Sequence, residues 1–175
     1  TAYIKMNKIV PLNMAVYKII YNNLYKKVDA IHYPSQFIQD RFEHIVKHKT
    51  NGYIISNGVN DIFVKKEVEK PKEFKNKFVV TMTGRYAKEK TQDTLLKAMK
   101  YSAHAKDIQL VLAGQGVKEK YYKKLAKDLP VYPVFKFFDR QGVCDLLNYT
   151  DLYVHAGQVE IEGIAFLEAL ACGDM

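Results

Sequence analysis

Two glutamates, Glu160 and Glu168, lie eight positions apart on either side of Gly163. Good helix formers fill positions 164–171 after this glycine, and a short apolar run, 152–155, precedes it. The pattern predicts a buried strand, a tight glycine turn and then a helix. Such an arrangement points backbone N–H groups and the positive end of a helix dipole at an anion.

Glu168 would lie about one and a half turns into the predicted helix. A carboxylate at that depth is too far in to cap the helix, but it can accept hydroxyl groups from a ligand bound at the helix start. A nucleotide-sugar presents a phosphate and a polyol in this order. The same spacing also fits an ordinary amphipathic helix whose two glutamates are solvated.

A cationic pattern, Gly84-Arg85 followed by Lys90, comes directly after the apolar run 78–82. A planar guanidinium can bind two phosphate oxygens at once, whereas an ammonium acts as a mobile point charge. Only three of the 27 basic residues are arginines, so an arginine here favours a geometric requirement over bulk charge. The alternative is a solvated loop between a strand and a helix.

Apolar strands alternate with helices from residue 78 onward. Four such strand–helix units predict an α/β fold with a doubly wound parallel sheet. Ligands of such sheets bind beyond the carboxyl ends of the strands, where the strand order reverses. The glycine-bearing stretches 84–85, 114–116 and 160–163 all fall at those ends. The predicted strands are 78–82, 108–113, 134–138 and 152–155, and the predicted helices are 91–101, 118–128, 143–149 and 164–171.

The first predicted helix, 11–27, carries an apolar stripe at helical spacing and a separate row of tyrosines beside lysines. The basic, aromatic face could rest on a membrane surface, lie in solvent or pack on a neighbouring domain. The stripe consists of Leu12, Val16, Ile19, Ile20 and Leu24, and the row consists of Tyr17, Tyr21 and Tyr25.

Two short strands and a second helix are predicted after the first helix. The strands are 28–33 and 53–55, and the helix between them, 36–47, has Ser35 as its predicted N-cap. The charge-rich stretch 65–77 has no periodicity and predicts a solvated linker or surface loop.

Composition describes a globular protein that favours anionic partners. Apolar residues make up 48% of the chain, and the formal net charge is +8. This charge fits nucleotide phosphates, an acidic membrane surface or nucleic acid without choosing among them. The histidines are scattered and the cysteines, Cys144 and Cys172, lack metal-site spacing, so we expect no metal site and two small core residues.

The ends of the chain and its longest apolar runs bear on its setting. No run approaches the roughly 18–20 apolar residues of a membrane span. The start without Met and the end at Met175 suggest a piece of a longer chain. We expect a reducing, cytoplasmic compartment, with the protein peripheral on the inner face of a membrane as a further option.

The stretch from Glu160 resembles a signature of retaining glycosyltransferases with the GT-B fold, in particular the large family 4. That family's run typically reads E-x-F-G-x-x-x-x-E-A-x-A-x-G, and here both glutamates and Gly163 stand in register. Glu162 replaces the usual aromatic residue. The cationic stretch is similar to the family's G-R-x-x-x-x-K, and Ser56-Asn57-Gly58-Val59 is similar to its hinge. The resemblance covers positions 28–173.

By this resemblance, Arg85 and Lys90 hold the donor's diphosphate and stabilise the leaving group. Glu168 holds the ribose hydroxyls, and Glu160 orients the sugar or steadies the oxocarbenium-like centre. Turn glycines, backbone groups at the helix start and residues near the base complete the implied site. They are Gly84, Gly114, Gly116, Lys136, Phe137, Gly163, Ile164 and Ala165.

The resemblance also implies a domain plan. Residues 1–60 would be the end of an N-terminal, acceptor-binding domain with its hinge, and 61–175 a C-terminal donor-binding domain truncated at its C-terminus. The 175 residues alone should then bind donor weakly and not turn over.

The implied reaction moves a sugar from a nucleoside diphosphate sugar of the UDP or GDP type to an acceptor hydroxyl, with retention. The expected setting is bacterial glycan or glycolipid synthesis, with a glycan or lipid-linked acceptor, no separate cofactor and no nucleic acid partner. Two alternatives stay open: a non-catalytic nucleotide-binding module of the same fold, and a basic nucleic-acid-binding protein.

Overall fold

A computed structural model describes residues 10–158 and 160–173. These residues form two compact units. The first comprises 10–58 with 160–163, and the second comprises 59–158 with 164–173. In neither range is any helix long and apolar enough to cross a membrane.

The first unit contains two helices and a two-stranded parallel sheet. Helix α1 (Val10–Asn23) is followed by a 3-10 turn (Tyr25–Lys27), strand β1 (Ile31–Tyr33), helix α2 (Gln36–Val46) and strand β2 (Gly52–Ile54). The two strands pair from Ile31 with Gly52 to Tyr33 with Ile54. Ser35 caps α2 as predicted, because its hydroxyl accepts a hydrogen bond from the Ile38 N–H at 3.4 Å.

Helix α1 packs through its tyrosine row, whereas the amphipathic pattern predicts burial of the apolar stripe. Tyr21 is only 7% exposed, stacks on His48 at 5.4 Å and meets the edge of Phe42. Tyr25 also packs on Phe42, at 5.3 Å between ring centroids. The tyrosine row therefore supplies the packing within this unit. Val16, Ile19, Ile20 and Leu24 of the apolar stripe are exposed instead, and the side chain of Leu12 lies outside the described part of the chain.

Glu43 fixes the end of α2 against the approach to β2. Burial alone would raise the pKa of this carboxyl group, but hydrogen bonds from Lys49, Thr50 and Gln39 outweigh it and lower the pKa to about 2. The Thr50 N–H and hydroxyl both donate to it at 2.9 Å. The carboxylate thus joins a helix to a strand of the same unit.

The second unit is a four-stranded parallel sheet with helices on both faces. Its strands are β3 (Phe78–Thr83), β4 (Ile108–Ala113), β5 (Val134–Lys136) and β6 (Leu152–Tyr153). Its helices are α3 (Gln92–Tyr101), α4 (Glu119–Leu125), α5 (Arg140–Tyr149) and α6 (Ile164–Cys172).

The strand order is β5-β4-β3-β6, and every neighbouring pair is parallel. The chain moves from β3 to β4 to β5 in one direction and then returns to the other side of β3. The order therefore reverses beside β3, the strand that Gly84 and Arg85 follow.

Alternate residues of the strands pack on opposite faces of this sheet. Val80 and Leu112 pack with Leu96 of α3 and Tyr122 of α4 on one face. Val79 and Val111 pack with Leu146 of α5 on the other. The predicted α/β fold with a doubly wound parallel sheet is confirmed. Cys144 and Cys172 are core residues as expected, with their sulfurs 3.8 Å apart.

Several boundaries differ from the sequence prediction, among them the end of α1, the start of β1 and the end of β5. Helix α5 begins at Arg140 rather than at 143, because the Asp139 carboxylate accepts a hydrogen bond from the Gly142 N–H at 2.8 Å and caps an earlier turn. Helix α4 is shorter than 118–128, and β6 is shorter than 152–155.

The segment 65–77, predicted as a solvated linker or surface loop, lies at the surface and is held to the rest of the second unit. Lys66 pairs with Asp145 of α5 at 2.5 Å. Lys70 pairs at 2.6 Å with Asp151, whose carboxylate also accepts a hydrogen bond from the N–H of Val79. Two lysines of the segment therefore have acidic partners. The lack of hydrophobic periodicity in this segment reflects an irregular backbone path and not a lack of packing.

Candidate functional site

A cavity of about 470 Å³ opens at the carboxyl ends of β3, β4 and β5 in the second unit. It is lined in part by side chains and backbone from three strand ends and from the start of α6. Six residues predicted for the site contribute to its walls: Gly84, Arg85, Gly114, Phe137, Ala165 and Glu168.

The remaining predicted residues lie outside that lining. Lys90 ends a 3-10 turn (Lys88–Lys90), and its Cδ lies 3.9 Å from where a Cβ on Gly84 would be. The Lys136 ammonium lies over the ring of Phe138, 4.9 Å from its centroid. Ile164 is the first residue of α6. Glu160 and Gly163 belong to the first unit.

Gly114 allows the Gly84 loop to lie directly on the loop after β4. A Cβ on Gly114 would stand 2.1 Å from the carbonyl oxygen of Gly84, and its φ is +157°. The Gly84 N–H donates to Ala113 O at 2.9 Å. The close approach requires a residue without a side chain.

Gly116 serves the same contact one step further along the chain. A Cβ there would stand 2.7 Å from the carbonyl oxygen of Tyr86. The Tyr86 N–H donates to Gln115 O at 2.9 Å. The two glycines thus allow the loops after β3 and β4 to pack backbone against backbone. This packing fixes the direction in which the chain at Arg85 leaves the sheet.

The Arg85 side chain is 81% exposed at the rim of the cavity. Its nearest acidic partner is Glu89, at 3.5 Å from guanidinium nitrogen to carboxylate oxygen. Exposed pairs of this length contribute little to stability, so the guanidinium can turn toward a bound anion. Its backbone is held more firmly, because the Gln92 amide donates to Arg85 O at 2.8 Å.

Thr91 links the turn that carries Lys90 to the loop after β6. It has φ of +50°, a left-handed conformation that β-branched residues rarely adopt. Its hydroxyl donates a hydrogen bond to Ala156 O. Beside it, the Gln158 N–H donates to Glu89 O at 3.0 Å. The sequence contains no local signal for these contacts.

Glu168 is half-buried on α6. Burial raises the pKa of its carboxyl group above the ordinary value, and the Arg140 guanidinium opposes that rise. Arg140 is the first residue of α5. Sequence reasoning counted this arginine but gave it no role. Its position next to the capping Asp139 was the available signal, since a helix start often lies at a ligand site.

We expect Glu168→Gln to stabilise the folded chain at pH 7. A raised pKa means that the folded state favours the protonated carboxyl group. Stability is therefore lost as pH rises from the ordinary carboxyl range through the raised pKa. Removing the charge should raise the melting temperature by about 1–2 °C at pH 7 and leave it unchanged at pH 4.

Thermal unfolding at the two pH values measures this difference. Glu67→Gln, at an exposed position, makes the same change of charge and serves as the control. Equal melting temperatures for Glu168→Gln and the wild-type chain at pH 7 would contradict the expected burial effect.

Three side chains form a polar row at the ends of β3 and β6. The hydroxyl groups of Thr83 and Tyr153 lie 3.1 Å apart, and the Tyr153 hydroxyl lies 3.5 Å from His155 Nδ1. The His155 ring meets Phe166 of α6 in an edge contact. Thr83 also lines the cavity, so this row supports one of its walls.

The residues in 10–158 and 160–173 contain no group of three or more His, Cys, Asp or Glu side chains that could hold a metal ion. Among the residues that line the cavity, Arg85 and Glu168 are the charged ones. Arg140 lies close enough to Glu168 to lower the pKa of its carboxyl group.

Comparisons with known proteins converge on one family. Residues 63–174 match the profile of the family described as glycosyl transferases group 1. A GDP-mannose-dependent alpha-(1-6)-phosphatidylinositol dimannoside mannosyltransferase of Mycobacterium tuberculosis is 35% identical over 91 residues, which are 51% of this chain and 24% of the relative. The chain thus spans about a quarter of the length of that relative.

Two solved structures are similar to this chain, and the first of them has the same fold. Anabaena HepE in complex with UDP and glucose superposes with a TM-score of 0.71 at 19% identity, covering 91% of this chain and 46% of HepE. The catalytic domain of cholesterol-alpha-glucosyltransferase from Helicobacter pylori is 43% identical, covering 53% of this chain and 57% of that one, with a TM-score of 0.47.

Proposed function

Because this chain belongs to the glycosyl transferases group 1 family, we propose that it binds a nucleoside diphosphate sugar and takes part in transfer of the sugar to an acceptor hydroxyl. One observation carries the proposal for this chain's own residues. A single cavity at the switch point of the sheet is lined by Arg85, Glu168 and the first turn of α6. A cation, a hydroxyl acceptor and a helix start are what a diphosphate joined to a ribose requires.

The order of the strands suggests which way round the nucleotide lies. Phe137 follows β5, Gly114 directly follows β4, and Arg85 follows β3. Neighbouring strands are about 4.8 Å apart, so the aromatic side chain and the guanidinium leave the sheet about 10 Å apart. We assign the base to the side of Phe137 and the diphosphate to the side of Arg85.

In this proposal Arg85 and Lys90 neutralise the charge that grows on the leaving diphosphate, and backbone N–H groups at Ile164 and Ala165 add to that neutralisation. Glu168 accepts hydrogen bonds from the ribose hydroxyls. Glu160 orients the sugar or steadies the oxocarbenium-like centre. Stabilisation of developing charge is usually the largest contribution in such a site.

The finer features of the reaction are part of the same proposal. Transfer proceeds with retention at the anomeric carbon, no separate cofactor is needed, and the acceptor is a glycan or a lipid-linked molecule. The protein is cytoplasmic and peripheral on the inner face of a membrane. The mannosyltransferase relative is named for GDP-mannose and HepE was crystallised with UDP. Both bases therefore belong in the test.

A thermal-shift and calorimetric panel of UDP, GDP, ADP and their sugars tests the proposal, run on the protein as its gene encodes it and on the 175 residues. We expect one nucleoside diphosphate to bind and the corresponding sugar nucleotide to be consumed when an acceptor is present. The 175 residues alone should bind it more weakly and not turn over. Nucleotide binding without consumption would favour the non-catalytic module, and no binding of any nucleotide would overturn the proposal.

A further inference from the structure

Glu162 fastens two distant parts of the first unit to each other. One oxygen of its carboxylate accepts a hydrogen bond from the Ser56 hydroxyl. The other accepts from the Asn57 N–H at 3.0 Å and from the Asn57 side-chain amide at 2.5 Å. The Ser56 oxygen in turn accepts from the Gly58 N–H at 3.0 Å. Both carboxylate oxygens are thus engaged by residues more than a hundred positions away.

The glycines next to this contact have left-handed backbone conformations. Gly58 has φ of +69° and Gly163 has φ of +73°, and a Cβ built on either would meet no atom within 4 Å. Each glycine is the last residue of the first unit before the chain enters the second. At such positions the backbone can change direction with little steric hindrance, so the contact made by Glu162 decides how residues 160–163 are held.

We propose that Glu162 is a positioning residue, whose carboxylate locks residues 160–163 onto residues 56–58 and thereby sets the place of Glu160 and of the turn before α6. The consequence for sugar transfer rests on the function proposed above. The locking itself does not, because it follows from contacts within one unit.

The chemistry of the contact requires a carboxylate. It receives three donors, from a hydroxyl, a backbone N–H and a side-chain amide, and hydrogen bonds to an ionised acceptor are the strong ones. The hydrogen bond from Ser56, with those from Asn57, lowers the pKa of Glu162, so the group stays ionised at neutral pH. A phenylalanine side chain at this position has no polar atom to accept these bonds.

Glu162→Gln and Ser56→Ala, singly and together, test the proposal. The glutamine amide keeps one acceptor but turns an NH2 group toward donors. We expect the Asn57 backbone amide, whose N–H donates to Glu162, to exchange hydrogen about tenfold faster or more in Glu162→Gln. The Ser56→Ala change should add little in the double variant, because both remove the same contact. Glu67→Gln makes the same change of charge away from the contact and should leave exchange unchanged.

Steady-state kinetics separate positioning from general stability. The expected result is a fall in kcat of about tenfold for Glu162→Gln with the KM for donor within about twofold of wild type, since donor contacts are kept. Unchanged exchange of the Asn57 amide would overturn the proposal, whether or not transfer is measurable. Faster exchange with unchanged kcat would overturn its catalytic part. If the wild-type protein transfers no sugar, the proposed function is refuted. The hydrogen-exchange result then still tests whether Glu162 holds residues 160–163 in place.

Discussion

We expect Arg85→Ala to lower kcat/KM for the sugar nucleotide by about 10²–10³, the usual effect of removing one group that stabilises developing charge. The guanidinium lies at the rim of the cavity, with a long contact of 3.5 Å to Glu89. Little has to be broken before it binds a diphosphate. No lysine in the same place would match the planar fork that binds two oxygens at once, so Arg85→Lys should recover only part of the loss.

Lys88→Ala is the matched control for this prediction. Lys88 belongs to the same 3-10 turn as Lys90 but lies off the predicted motif. Its removal changes the net charge as Arg85→Ala does, and kcat/KM should stay within about threefold of wild type if surface charge acts only through screened, long-range attraction. Equal losses in both variants would mean that bulk charge, and not a specific contact, attracts the nucleotide.

Gly114→Ala should lower the free energy of unfolding by about 3 kcal/mol or more, because it combines a forced backbone conformation with a clash. The new methyl group would stand 2.1 Å from the Gly84 carbonyl oxygen, which is backbone and cannot swing away. We expect a melting temperature lower by roughly 6–12 °C in a chain of this size. The displaced Gly84 loop should also weaken nucleotide binding.

Gly84→Ala separates the clash from the conformational effect. Gly84 also has a positive φ, +140°, but a methyl group there would meet only the end of the flexible Lys90 side chain, at 3.9 Å or beyond. Denaturant unfolding of both variants gives the difference. If Gly114→Ala lowers the free energy of unfolding no more than Gly84→Ala does, the close approach of the two loops contributes nothing to the sensitivity of position 114.

The second unit could be predicted well because its information is local. Six-residue apolar runs such as Ile108–Ala113 are buried on both faces of a parallel sheet, so hydrophobicity alone locates them. The cavity then follows from topology, since the carboxyl ends of parallel strands meet at one edge. Arg85 and Glu168 were predicted from spacing and resemblance and line the same cavity, while their roles stay predictions.

What the sequence could not predict depends on partners far along the chain. The apolar stripe of α1 is exposed and its tyrosine row is packed, the reverse of the prediction. The reason is that Tyr21 packs on Phe42 of α2 and on His48 after it. Periodicity identifies two faces of a helix but not which of them meets the next element. Glu162 is a similar case, because nothing near it in sequence indicates that Ser56 and Asn57 are its donors.

The left-handed backbone of Thr91 has a mechanical consequence. A β-branched residue in this conformation costs about 1–3 kcal/mol, so the turn does not keep its shape by itself. Its shape is maintained from outside, by the hydroxyl's bond to Ala156 and by the neighbouring bond from Gln158 to Glu89. If the loop after β6 loosens, residue 91 can relax and carry the Lys90 ammonium with it. Two stretches of chain more than sixty positions apart are therefore mechanically coupled, because loosening one of them allows the other to change its conformation.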